Sequence, residues 1–112
     1  MTDCLFCKIA NKEIDATIVY EDDLIIVFED ISPKAEVHLL MIPKKHITSL
    51  FEIKQEHDII IAHMMRKLSY IAQQQNLDNG FRTIVNTGSG GGQVIFHLHI
   101  HILGGSRLPG FE

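Results

Sequence analysis

The spacing of apolar residues changes along this chain, and each change marks an element. Leu5 to Ala10 carries enough apolar residues for a short helical turn. Thr17 to Tyr20 and Leu24 to Phe28 are β-branched and aromatic runs parted by Glu21-Asp22-Asp23, the pattern of a hairpin. The second run, Leu24-Ile25-Ile26-Val27-Phe28, has no polar alternation, which predicts a strand covered on both faces. Ile31-Ser32-Pro33 reads as a turn. Val37 to Ile42 reads as a third strand, stopped by Pro43, and Thr48 or Ser49 can cap a short helix over Leu50 to Ile53.

From Glu56 to Gln75 the period becomes helical: Ile60, Met64, Leu68 and Ile71 form a stripe that Ile61, Met65 and Ala72 widen. Asn79-Gly80 is expected to end this helix through a left-handed cap. Phe81 to Asn86 and Val94 to Leu103 return to strand character, separated by Gly88-Ser89-Gly90-Gly91-Gly92, a loop within one domain. Strands adjacent in sequence, short turns and one long helix predict an α+β fold with an antiparallel five-stranded sheet, a long helix and a short one. The 112 residues suit a single domain spanning 1–112.

Composition narrows the function classes. Charged types are 21% and the net charge is −4, with no basic block beyond Lys44-Lys45, so nucleic acid is not expected as the main ligand. No apolar run reaches the roughly 18–20 residues of a membrane span, and Met1-Thr2-Asp3-Cys4 does not open a signal peptide. The expectation is a cytoplasmic protein without membrane partners. Cys4 and Cys7, three apart in a reducing compartment, favour a metal or redox pair over a structural disulfide.

Histidine is the unusual residue: there are seven, three of them within His97-Leu98-His99-Ile100-His101. On a strand, alternate residues share a face, so Phe96, Leu98, Ile100 and Ile102 would enter the core while His97, His99 and His101 stand in a row about 7 Å apart. Two chemistries fit such a row. Three imidazoles can hold a catalytic zinc with an open position. Alternatively, one imidazole acts as a nucleophile and its neighbours handle the proton and the reacting group. The glycine loop upstream offers unobstructed backbone N–H groups suited to phosphate, which favours phosphorus chemistry.

The run His97-Leu98-His99-Ile100-His101-Ile102-Leu103 resembles the motif of the histidine triad (HIT) family. Tyr20-Glu21-Asp22-Asp23, Asp30-Ile31-Ser32-Pro33, Ile42-Pro43-Lys44-Lys45-His46-Ile47, Asn86-Thr87-Gly88 and Gly91-Gly92-Gln93 extend the resemblance from Leu5 to Gly105. The ending Leu103-Gly104-Gly105 is similar to the Hint branch of nucleoside phosphoramidases and nucleotide-binding proteins. That resemblance implies a homodimer whose two sheets join into a continuous ten-stranded one. It also implies a purine nucleotide as the partner, and hydrolysis through a nucleotidyl-histidine intermediate that releases a nucleoside 5′-monophosphate.

The resemblance assigns roles. His99 takes the place of the nucleophile, His101 that of the phosphate or leaving-group contact, and His38 that of a fourth histidine supporting the triad. Asp30 matches the residue that accepts the ribose hydroxyls. Phe6, Ile9, Ile14, Phe28 and Ile31 match the apolar walls around the base, and Asn86 and Gly92 the phosphate contacts. Val94 departs from the pattern, standing where a serine often meets the phosphate or leaving group, and Ser106 to Glu112 lacks the Trp-Pro ending of some members. Many bacterial relatives pair cysteines such as Cys4 and Cys7 with histidines at the places of His46 and His97. The resemblance therefore implies a structural zinc at Cys4, Cys7, His46 and His97, with no metal required for the triad chemistry. The alternative function is a purine-nucleotide-binding regulatory or interaction protein whose hydrolysis is incidental. The physiological leaving group is not legible in the chain.

Overall fold

The structure is a computed structural model that describes residues 4–106, 108 and 110. It contains helix α1 (Leu5–Ala10), strands β1 (Ile18–Glu21), β2 (Ile25–Glu29) and β3 (Val37–Pro43), helix α2 (Asp58–Gln74), and strands β4 (Arg82–Ile84) and β5 (Ile100–Gly104). The strands form one antiparallel five-stranded sheet in the order β1-β2-β3-β5-β4. The expected α+β architecture is therefore present. The departures from the tail pattern fall mostly outside the described residues.

Each sheet face has its own cover, which explains the unbroken apolar run in β2. Ile25 and Val27 join Leu39, Met41, Ile100 and Ile102 under Met64, Leu68 and Ile71 of α2. Ile26 and Phe28 join Leu40 and Ile42 against Phe6 and Ile9 of α1. Alternation thus runs between two covered faces. His38 and His101 lie on the α1 face, because His38 pairs with Leu103 and Leu40 with His101 in the β3–β5 ladder.

Several boundaries differ from expectation. The long helix spans Asp58–Gln74 and is preceded by a 3₁₀ turn, Gln55–His57. It ends before Asn79-Gly80: Gln75 caps it and Asn76 adopts the left-handed conformation at φ 64°. Asparagine tolerates that region well enough to serve. Ser49 does cap a short 3₁₀ turn, its Oγ accepting from the N–H of Phe51 at 3.1 Å. The fourth strand shortens to Arg82–Ile84.

The largest difference is in the fifth strand, expected over Val94 to Leu103 but paired only from Ile100. Pro43 supplies the reason. The β3–β5 ladder ends at Met41 opposite Ile100, and Pro43 beyond it has no N–H to continue. Leu98 bonds Ile47 instead, N–H to carbonyl, at 2.6 Å. Leu98 still reaches the core, but Phe96 does not; it is 46% exposed.

Candidate functional site

The three alternating histidines serve two different clusters. His97 and His99 lie before the ladder begins, while His101 lies within it. His97 is fully buried, and His38 and His99 are nearly so.

Around His101, backbone groups decide where the protons sit. The N–H of Lys34 donates to His38 Nδ1 at 3.0 Å. An amide N–H can only donate, so Nδ1 of His38 is the acceptor and Nε2 carries the hydrogen. That Nε2 lies 2.9 Å from His101 Nδ1 and 3.4 Å from Asp30 Oδ2. His38 therefore donates to His101, and the neutral His101 presents its own N–H at Nε2. Asp30, His38 and His101 also converge closely enough to suggest a cation site, but the hydrogen held on His38 Nε2 opposes ligation from that atom. Burial, followed by the neighbouring His99 and His38, pushes His101 down to about 4. Burial also lowers His38, against the attraction of Asp30. Both imidazoles are thus neutral near pH 7.

His99 is oriented by a carbonyl. Its Nδ1–H donates to the main-chain oxygen of His97 at 2.7 Å, which leaves the lone pair on Nε2. The rings of His99 and His101 have centroids 5.1 Å apart. Phe6 meets His99 edge-on at 5.1 Å and Phe28 at 5.5 Å. This links the histidines to a cavity of about 220 Å³ lined by Phe6, Ile9, Ile14, Phe28, Asp30, Ile31, Leu40 and Ile95, among others. All five apolar residues expected around a base share that cavity with Asp30. Ile31 is 97% exposed at its rim. Asp30 also lines a second cavity of about 280 Å³ with Lys34, His38, Asn86 and His101.

The glycine loop is braced internally. Asn86 Nδ2 donates to the carbonyl of Gly91 at 2.9 Å. Gly88 and Gly92 occupy positive φ, 72° and 88°, where a side chain would be strained. Val94 is 84% exposed and offers no hydroxyl.

The second cluster joins Cys4, Cys7, His46 and His97, whose donor atoms all lie within 4.8 Å of one another. His97 Nδ1 stands 3.2 Å from Cys4 Sγ, 3.5 Å from Cys7 Sγ and 3.2 Å from His46 Nδ1; Cys7 Sγ is 3.2 Å from His46 Nδ1. Tetrahedral zinc ligands at about 2.0 Å for nitrogen and 2.3 Å for sulfur stand roughly 3.3–3.8 Å apart, so these spacings fit. Nε2–H of His97 donates to the carbonyl of Pro43 at 2.8 Å, leaving the Nδ1 lone pair facing the sulfurs. Cys4 Sγ accepts the N–H of Cys7 at 3.2 Å. With the thiols ionised, the lone pairs converging here would be unfavourable without a cation. Burial, then the hydrogen bond and charge of Cys4, push the Cys7 thiol up to about 11 in the protein alone. Burial, opposed by the Pro43 bond, brings His97 down to about 4. A divalent cation would reverse the thiol's preference.

The Lys34 amide, the Pro43 carbonyl and the side chain of Gln93 organise these groups and were not assigned roles from sequence. Backbone groups belong to every residue, so no sequence signal marks the first two.

Residues 3–110 match a family model described as "Scavenger mRNA decapping enzyme C-term binding". The chain is 53% identical to "Protein HitA" of Neisseria gonorrhoeae, covering 93% of this chain and 97% of that protein. It is 41% identical to a "14 kDa zinc-binding protein" of Brassica juncea, covering 95% and 96%. Among solved structures, a HIT family hydrolase from Legionella pneumophila Philadelphia 1 is 44% identical with a TM-score of 0.91, covering 94% and 95%. The chain belongs to the histidine triad family. Among the described residues no helix is long and apolar enough to cross a membrane.

Proposed function

We propose that this chain is a hydrolase acting on purine nucleoside 5′-phosphoramidates and related nucleotides, releasing a nucleoside 5′-monophosphate through a nucleotidyl-histidine intermediate. The observation that carries this reading is the tautomer of His99: with Nδ1–H held by the His97 carbonyl, the ring's lone pair is on Nε2. Nε2 attacks the phosphorus, the bond to the leaving nitrogen breaks, and the amine departs with a proton from solvent. His101, neutral and donating from Nε2–H, hydrogen-bonds the phosphoryl oxygens as charge develops. Water then attacks phosphorus, the P–N bond to His99 breaks, and the monophosphate leaves. His38 holds His101 in its donor tautomer. Asp30 accepts the ribose hydroxyls, the cavity of Phe6, Ile9, Ile14, Phe28 and Ile31 takes the base, and Asn86 and Gly92 shape the loop at the phosphate.

Cys4, Cys7, His46 and His97 would hold a structural zinc, whose role is to fix the N-terminal turn against the residue that orients His99. The chain acts as one domain and as a homodimer with joined sheets. The exposed Ile59, Met65 and Tyr70 of α2 and the outer strand β4 support that assembly. The thiol cluster suits the reducing cytoplasm. The exposed Val94 favours a second reading, a purine-nucleotide-binding regulatory protein with incidental hydrolysis.

The test is incubation with an adenosine phosphoramidate series followed by acid quench. A nucleotidyl adduct on His99, with AMP released at a useful rate, supports the enzyme. Tight AMP binding without an adduct supports the second reading instead.

A further inference from the structure

We propose that Gln93 is a positioning residue that holds the glycine loop in the shape required to receive a phosphate; this rests on the phosphate-binding reading above. Gln93 is 4% exposed, and its amide is used at both ends. Its Oε1 accepts the N–H of Gly88 at 2.8 Å. Its Nε2 donates to the carbonyls of Thr48 at 2.9 Å and Ile95 at 3.0 Å. One side chain thus ties the start of the loop, the approach to His97 and the turn after His46 to a single point.

The main chain completes the arrangement. The carbonyl of Gly88 accepts from the N–H of Gly91 and of Gln93, both at 3.0 Å, and Gly92 donates to Ser89 at 3.1 Å. Gly88 is held at φ 72°, a conformation that glycine adopts without the cost a side chain would meet. Among the described residues, the N–H groups of Ser89 and Gly90 make no hydrogen bond to the protein. Gln93 therefore fixes the Gly88 end of the loop that leads from Asn86, which lines the cavity with His38 and His101, to His97. A loop held in advance in this way receives a phosphoryl group without the cost of ordering the loop at the moment of reaction. A carboxylate at this position could accept from Gly88 but could not donate to Thr48 and Ile95.

The experiment compares AMP with adenosine, which differ only in the group the loop would receive. Calorimetry on the zinc-loaded protein should show that Gln93→Met weakens AMP by about tenfold while adenosine changes by less than about twofold. Equal weakening of both ligands, or an unchanged AMP affinity, overturns the proposal. Amide exchange on the unsubstituted protein gives an arm that no folding defect can obscure. The Gly88 N–H, bonded to Gln93, should exchange slowly, and those of Ser89 and Gly90 quickly. A Gly88 amide that exchanges as fast as Ser89 overturns the proposal even if the variant fails to fold. If the unsubstituted protein binds neither AMP nor adenosine, the nucleotide reading falls and this inference with it. If it binds both and only the variant results fail, the nucleotide reading stands and the role of Gln93 does not.

Discussion

His97 and His101 are four residues apart on one alternating run, yet they belong to opposite kinds of site. His101 lies within the β3–β5 ladder, and its acceptor nitrogen is supplied by a side chain, His38, that a backbone N–H has polarised. His97 lies just outside the ladder, and its donor nitrogen is bound to the carbonyl of a proline that cannot extend the sheet. Backbone groups set both tautomers, in opposite senses. The first leaves a hydrogen pointing outward from His101; the second leaves a lone pair pointing at two sulfurs. His99 sits between the two regions and takes its own orientation from the main chain of His97. The Cys4-Cys7-His46-His97 cluster and the His38–His99–His101 group are thus joined through one peptide carbonyl.

The sharpest test of this division is at His99 itself. His99→Ala should abolish the nucleotidyl adduct and lower turnover by roughly a thousandfold or more, as removal of a covalent nucleophile does. AMP affinity should change far less. A variant that retains a tenth of the turnover would place the nucleophile elsewhere.

Next in size is the metal side. Cys4→Ser should reduce zinc from about one per chain to near zero by metal analysis, with a marked fall in Tm. Turnover should fall by roughly 10–100-fold through the loosened His97, short of the loss in His99→Ala. His46→Ala should behave alike. If protein purified without chelator carries no metal and both thiols titrate freely, the cluster is not a zinc site.

The two regions were unequally legible in the sequence. The alternation of His97, His99 and His101 is a period-two signal, and the apolar residues between them, Leu98, Ile100 and Ile102, did reach the core. The spacing of Cys4 and Cys7 is as plain. The unbroken apolar run of β2 announced its two covered faces. What periodicity could not convey is where pairing stops. Val94 to His99 has strand-like composition, but the ladder depends on Pro43 in a different strand, a tertiary constraint invisible along β5 alone. Alternation along β5 alone puts Phe96 inside, whereas it lies largely exposed. The helix end was misread for a related reason: Asn79-Gly80 carries the stronger turn signal, but Asn76 already supplies the left-handed residue. Asp30 and the base-wall residues came from the resemblance, since any α+β domain has isoleucines and phenylalanines in such runs.

A smaller effect tests the proton placement on the His101 side. Lys34→Pro removes the N–H that holds His38 Nδ1 as an acceptor, together with the lysine side chain, whose loss Lys34→Ala controls for. With the tautomer no longer fixed, turnover should fall by about tenfold, while Lys34→Ala, which keeps the amide, stays near the unsubstituted rate. Zinc content should be the same in both. A proline variant as active as the alanine one would show that the amide does not govern the pair.

The smallest expected effect is on stability against pH, and it separates the two regions by chemistry. His38 and His101 have folded-state pKa values below the ordinary histidine value of 6.5, His101 at about 4, because burial disfavours their charged forms. Between those limits the unfolded chain binds protons that the folded protein refuses. Stability should therefore be complete above about pH 6.5, fall as the pH drops toward 4, and level off below that. Asp22 contributes outside this window. Although its burial acts the other way, hydrogen bonds from Tyr20, His63 and the amides of Leu24 and Ile25 hold it well below the usual carboxylate range, so its stabilisation is lost only at lower pH. Loss of metal would also destabilise the protein on acidification, since protons compete for the ligands. The Cys4→Ser background removes that contribution. Tm measured from pH 7.5 to 4.5 in that background should still decline, and His101→Asn should remove part of the decline, the rest belonging to His38 and to metal-free His97, which burial also holds at about 4. If Cys4→Ser alone makes Tm independent of pH across this range, the acid sensitivity belongs to the metal cluster and the neutral His38–His101 pair does not carry it.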